Sequence, residues 1–118
     1  MQGLKTVFEE MEGQAPIPGA ILRRVRGDQA MIQHAIVASG LSLPPHSHPN
    51  EQFTIVTLGR LRLTVAPPGE TTVYEIGPGD LLRLPGGVPH AIEALEDTVA
   101  VDVFAPPSDT TGLDAPND

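Results

Sequence analysis

The 118-residue chain contains no cysteine and no tryptophan, and only three phenylalanines and one tyrosine. Disulfides and thiolate metal sites are therefore excluded, and the core has to be built mostly from Val, Ile, Leu and Ala. Basic residues are also scarce. Seven Lys+Arg stand against fifteen Asp+Glu, a formal net charge of −8, whereas nucleic acids and anionic membranes call for a basic surface. Neither partner is expected. No apolar run approaches the ~18 residues of a membrane-spanning helix. Met1 to Lys5 show no basic stretch leading into an apolar one, so no signal peptide is expected and a cytoplasmic location is. The length suits one domain.

Proline and glycine are plentiful, thirteen and twelve respectively, which implies many short elements and frequent turns. Val7 to Met11 suggests a short helix, and Pro16 and Pro18 favour extended chain after it. Strands are expected from Ala20 to Arg26 and from Gln29 to Ala38, joined as a hairpin at Gly27-Asp28. Phe53–Leu58 and Leu61–Val65 read as a second hairpin around Gly59-Arg60. A strand over Thr72–Ile76, a turn at Gly77–Asp80 and a buried strand over Leu81–Leu84 follow. Ala91–Leu95 and Thr98–Phe104 read as a last hairpin. Short strands at close spacing with no sustained helical period give an all-β class, a small barrel or sandwich. The division expected is an N-terminal arm over 1–19, a barrel over 20–105 and a flexible acidic tail over 106–118. Arg23, Arg24 and Arg26 read as a solvated face.

Metal-ligating side chains crowd together in one stretch, Pro45-His46-Ser47-His48-Pro49-Asn50-Glu51-Gln52. In an extended segment His46, His48 and Gln52 share one face and Glu51 points away. His90 follows a second Pro/Gly-rich stretch, Pro85-Gly86-Gly87-Val88-Pro89. Three imidazoles and an amide oxygen would hold one divalent transition metal, and neutral N/O donors suit Fe, Mn, Ni, Zn or Cu alike. Because all four donors are neutral, the ion would keep its full charge and favour a small anionic molecule. His34 fits no such pattern and reads as a surface or subunit-contact residue.

These residues carry a resemblance. Gly40, five residues, His46-Ser47-His48, three residues, Gln52, six residues and Gly59 meet every spacing of the first cupin motif, with Gln in place of Glu. Gly79, Pro85, Gly87 and His90 match the second, which closes on Ala94 rather than Asn. The chain thus resembles the cupins. That implies a double-stranded β-helix with one metal in the barrel mouth, commonly as a homodimer. The ending Val101-Asp102-Val103-Phe104 is similar to that of the small pectin-degradation cupins that linearise 4,5-unsaturated uronates. This resemblance implies Asp102 as a proton-transfer group and Phe104 as a pocket wall. Asp102 and Phe104 also share parity along their strand, opposite Val99, Val101 and Val103. Those relatives carry a basic residue shortly after the Phe, and here no Lys or Arg follows Phe104. Arg83 is the candidate for neutralising a substrate carboxylate.

The function expected is a metal-dependent isomerisation or ring opening of a small anionic sugar derivative. A cupin dioxygenase and a non-catalytic sugar- or metal-binding module are the alternatives. Homodimerisation is also expected from short hydrophobic strands at a barrel edge.

Overall fold

A computed structural model describes residues 3–108. A single 3₁₀ turn, η1 (Phe8–Glu10), precedes nine strands: β1 (Ala20–Arg26), β2 (Met31–Val37), β3 (Ser42–His46), β4 (Glu51–Leu58), β5 (Leu61–Val65), β6 (Thr72–Ile76), β7 (Leu81–Leu84), β8 (His90–Ala94) and β9 (Thr98–Ala105). All pairings are antiparallel. One sheet has the order β1-β2-β9-β4-β7, and the other β3-β8-β5-β6. The fold class is all-β, as expected, with the two sheets facing each other in the manner of a double-stranded β-helix.

Alternation along the strands places the core between the sheets. In β4 the buried positions are Gln52, Thr54 and Val56, and in β9 they are Thr98, Ala100, Asp102 and Phe104. Leu61, Leu63 and Val65 of β5 close the space from the other side. Leu63 and Val56 are fully buried, and small residues such as Ala35, Ala94 and Ala100 let the sheets approach. At about 25 cal/mol per Å² of apolar area removed from water, these aliphatic side chains supply the main drive for closure.

Four expectations need correction. The helix over Val7–Met11 shrinks to the three residues of η1, which carries no side-chain cap; Phe8 instead stacks on His34, ring centroids 4.6 Å apart. Gln14 then bridges to Leu22, so the arm lies against β1. The second correction concerns β4 and β5, which are not a hairpin, and neither are β8 and β9. Each pair is split between the two sheets. The reason is that the two connecting corners bond to each other: Leu95 N donates to Arg60 O at 3.0 Å, and Thr98 Oγ1 lies 3.2 Å from both the N and the O of Arg60.

Third, β7 is an edge strand with Leu81 56 % exposed, and only Leu84 is buried. Fourth, Arg23 and Arg24 are half-buried rather than solvated, Arg23 because its Nε donates to Met11 O of the arm at 3.0 Å and Arg24 because it shares parity with Ala20 and Leu22 on the inner face of β1. The β1–β2 hairpin forms as read, whereas β5 and β6, expected only as separate strands, pair with each other as a hairpin. β3 tolerates Pro44 and Pro45 because it lies at the edge of its sheet. The acidic tail expected from 106 lies outside the described residues beyond 108.

The crossed corners depend on Gly59. It has φ +89°, and a Cβ there would overlap the carbonyl oxygen of Asp97 and the Cα of Thr98. Gly59→Ala is expected to lower the unfolding free energy in urea titrations by about 2 kcal/mol or more. Gly40→Ala is the control: φ is also positive there, but the added Cβ meets nothing within 4 Å, so its loss should be smaller.

Candidate metal centre

The site forms where the ends of both sheets meet. His46 closes β3 and His90 opens β8, and the two are register partners. Leu43 pairs with Ile92, so β3 takes three steps to His46 while β8 takes two to His90. The irregularity at Pro44-Pro45 absorbs the extra residue. Without it, His46 would lie an odd step from the inward-facing Leu43 and point out of the barrel. His48 is in the connection after β3, and Gln52 belongs to β4 in the other sheet. The single extended segment expected over 46–52 is therefore replaced by a strand end, a bend at Pro49-Asn50 and a second strand start. The three side chains still converge.

Two loops are fastened together to bring His48 and His90 into range. Gly87 N donates to His48 O at 2.8 Å. Gly86 passes so close to Pro49 that a Cβ would overlap the Pro49 carbonyl oxygen. Asn50 is 1 % exposed, and its Nδ2 donates to Pro106 O beyond the end of β9. The ring centroids of His46 and His90 are 4.5 Å apart, and those of His48 and His90 5.1 Å. Each histidine offers a ring nitrogen, and these atoms lie within 4.8 Å of one another.

The tautomers follow from the partners. His46 Nδ1 meets Pro44 O at 3.0 Å, His48 Nδ1 meets Asn50 O at 3.1 Å, and His90 Nδ1 meets Val88 O at 3.0 Å. A carbonyl can only accept, so each Nδ1 carries the hydrogen and each neutral ring presents a bare Nε2. Such tethering of the far nitrogen is how proteins orient metal-ligating imidazoles. His90 Nε2 is buried with no hydrogen-bond partner. His48 Nε2 faces Gln52 Oε1 at 3.1 Å, which sets two lone pairs against each other unless a positive charge lies near both. Burial, with smaller contributions from His46 and His48, pushes the pKa of His90 down from 6.5 to about 4 against an opposing hydrogen bond to Val88. The neutral ligand form is thus favoured. These residues fit a divalent cation.

The other expected site residues are distributed unevenly. Phe104 is 1 % exposed and meets the His48 ring edge-on, centroids 5.9 Å apart. Asp102 is 6 % exposed inside the barrel. It accepts from Thr54 Oγ1 at 2.7 Å and from Gln33 Nε2 at 2.8 Å. Burial raises its pKa above the ordinary carboxylate value, and hydrogen bonds from Thr54, Gln33 and Gln52 and the charge of Arg24 oppose the rise. A cavity of about 30 Å³ beside Asp102 and Thr54 has room for about one water.

Arg83 is not brought to the cluster. Leu84, its neighbour, faces inward, so Arg83 faces out and binds Glu51 at 2.5 Å. His34 is half-buried under Phe8 on the outer face. Gln33, Thr54 and Arg24 were missed as members of the site region. The available signal was parity, since Gln33 sits between Met31 and Ala35 on the inward side of β2. A surface groove of about 650 Å³ beside Pro16-Ile17-Pro18 and Ile36 includes none of the three histidines.

The comparisons with known proteins bear on this geometry. Residues 33–105 match the family model described as "Cupin domain". The chain belongs to the cupin family. It is 28 % identical over 86 residues to oxalate decarboxylase OxdC of Bacillus subtilis, covering 67 % of this chain and 22 % of that protein. The chain thus spans about a fifth of the length of this curated relative. The structure of KdgF from a Halomonas species aligns with a TM-score of 0.76 and 25 % identity, covering 87 % of this cupin and 94 % of that chain. A B. subtilis oxalate decarboxylase structure concerned with its Mn(II) centres aligns at 0.81 with 23 % identity, over 92 % of this chain and 30 % of that one. This last likeness shows the fold. The chain is a small cupin resembling the pectin-degradation cupins, with a three-histidine cluster suited to a metal. No helix among the described residues is long and apolar enough to cross a membrane.

The depressed pKa of His90 has a consequence for the metal-free protein. Between pH 4 and 6.5 the unfolded chain binds a proton that folded His90 refuses, so this contribution to stability rises with pH. It is complete above 6.5 and lost as pH falls through about 4, a difference of about 3 kcal/mol. Asp102 acts with the opposite sign: its raised pKa favours the fold at pH below the ordinary carboxylate value, and this favour is lost as pH rises through the folded pKa. Urea titrations of wild type and His90→Gln across this range should differ in slope, the wild type gaining more stability with rising pH. Equal slopes would contradict the assignment.

Proposed function

We propose that this cupin is a metal-dependent enzyme that isomerises or ring-opens a small anionic sugar derivative of the unsaturated-uronate type. The observation that carries the proposal is the convergence of three Nδ1-tethered histidines on one point beside Gln52 Oε1. In this reading His46, His48, His90 and Gln52 hold one divalent transition metal. When bound, the ion supplies Lewis-acid polarisation of a carbonyl or hydroxyl group. Its four neutral ligands leave its charge uncompensated, which favours an anionic substrate. The name of the B. subtilis relative, an oxalate decarboxylase, supports a small anion in such a site, and the Mn(II) centres of that fold support manganese among the candidates.

The chain's own residues divide the remaining work. Asp102 moves the proton, burial raising its pKa above the ordinary carboxylate value and so favouring the protonated form that can give one. Phe104 forms an apolar wall beside His48 and limits water at that side. The outward position of Arg83 leaves recognition of the substrate carboxylate to the cation. The proposal also includes a cytoplasmic location and a homodimer. The dimer is supported by apolar residues on the outer side of the β1–β2 hairpin, where Ile21, Ile32 and Ile36 are 40 %, 41 % and 37 % exposed.

Metal content, turnover and oligomeric mass test this reading. Protein purified without a histidine tag should contain about one transition metal per chain and consume unsaturated uronates, followed by loss of their ultraviolet absorbance. Asp102→Asn should keep the metal and lose about 10²-fold to 10⁴-fold in kcat. Oxygen uptake matching turnover would instead favour the dioxygenase reading, and binding without turnover the non-catalytic one. For the assembly, size exclusion with light scattering should give twice the chain mass, and Ile32→Glu should shift it to the monomer. A wild-type monomer would remove the dimer.

A further inference from the structure

One row of polar side chains runs across the inner face of four neighbouring strands of the larger sheet. Arg24 of β1 is the register partner of Gln33 in β2, Gln33 of Asp102 in β9, and Asp102 of Thr54 in β4. Neighbours in this row are joined side chain to side chain. Arg24 Nε lies 2.7 Å from Gln33 Oε1, Gln33 Nε2 2.8 Å from Asp102 Oδ2, and Thr54 Oγ1 2.7 Å from Asp102 Oδ1. Two residues along β4, Gln52 Nε2 lies 2.9 Å from Thr54 Oγ1. Gln33, Thr54, Asp102 and Gln52 are all at least nine-tenths buried, so no bulk water substitutes for a missing partner.

The chemistry of the donors sets the direction of this chain. A guanidinium can only donate, so the Gln33 amide must turn its oxygen to Arg24 and its NH₂ to Asp102. Ionised Asp102 then accepts at Oδ2 from Gln33 and at Oδ1 from Thr54, and its charge also draws the Gln52 NH₂ to this side. The Thr54 hydroxyl has one hydrogen, and that hydrogen is directed at Asp102. Towards Gln52 it can therefore act only as an acceptor, which requires the Gln52 NH₂ on that side. Gln52 Oε1 is left 3.1 Å from His48 Nε2. An amide alone has no such preference, because its two faces have nearly the same shape.

We infer that Thr54, held by the Arg24–Gln33–Asp102 row, is a positioning residue that turns the oxygen of the Gln52 amide, and not its NH₂, toward the three histidines. The inference rests on the metal-centre reading above and adds what enforces the orientation of its fourth donor. A glutamine presenting NH₂ would aim positive hydrogens at a cation and oppose it. The reversed amide is the alternative the row suppresses.

Cobalt(II) titration with its visible absorption spectrum tests the inference apart from any turnover. Thr54→Val, near in shape and unable to accept a hydrogen bond, should weaken Co(II) binding about 10-fold to 100-fold and alter the spectrum. Thr54→Ser should restore both. Gln52→Leu should weaken binding at least as much, and adding Thr54→Val to it should cost nothing further. Wild-type affinity and spectrum in Thr54→Val would overturn the inference while leaving the metal centre standing. Failure of the wild type to bind Co(II), or binding unaffected by His90→Ala, would overturn both. The Zn(II)-loaded wild type gives a second readout that needs no variant. Its Gln52 side-chain NH₂ protons should show nuclear Overhauser contacts to the Thr54 methyl group, and contacts to the His48 ring instead would overturn the inference.

Discussion

Pro44, Asn50 and Val88 each turn a backbone carbonyl toward the Nδ1 of a histidine two residues away, and this repeated contact determines what the centre can be. With the carbonyls in place the rings have one neutral tautomer available and little freedom to rotate. Without them the same three imidazoles could bond to one another or to water. The backbone conformation of three short segments thereby becomes a statement about chemistry. The segments in turn depend on loop-to-loop contact, Gly86 against Pro49 and Gly87 against His48. The local rule and the tertiary contact reinforce each other.

The interior is unusually polar for so small a barrel. Gln33, Gln52, Thr54, His90 and Asp102 share it with aliphatic side chains. Buried polar groups cost stability unless paired, and partial pairing is worse than none. Here the pairing runs in sequence from the rim at Arg24 to the mouth at Gln52, so each group satisfies its neighbour. The exceptions are informative: His90 Nε2 remains without a partner where a ligand is expected. The aliphatic half of the core, around Leu63 and Val56, lies further from the mouth and supplies cohesion rather than chemistry.

Much of this was readable from residue order, and the failures share a cause. The β1–β2 hairpin was legible because a local turn decides it. The corners at Gly59-Arg60 and Glu96-Asp97 look just as local, yet sheet membership there is decided by bonds between the two corners, some 35 residues apart. Among site residues, spacing alone identified His46, His48, Gln52 and His90, although the extended-chain reason given for three of them does not hold. The row of Arg24, Gln33 and Thr54 was not legible, since strand register joins positions up to 69 apart. Parity against Leu84 would have placed Arg83 outside.

The extra residue at Pro44-Pro45 carries a further implication. Between Leu43 and His46 the strand keeps its first histidine inward only because the segment is one residue longer than its partner. What this stretch must conserve through mutation is thus its count, more than its composition. Replacing either proline leaves the phase of the strand intact, whereas a single-codon deletion rotates the histidine to the outside. Related chains should accordingly vary in spelling here and be invariant in length.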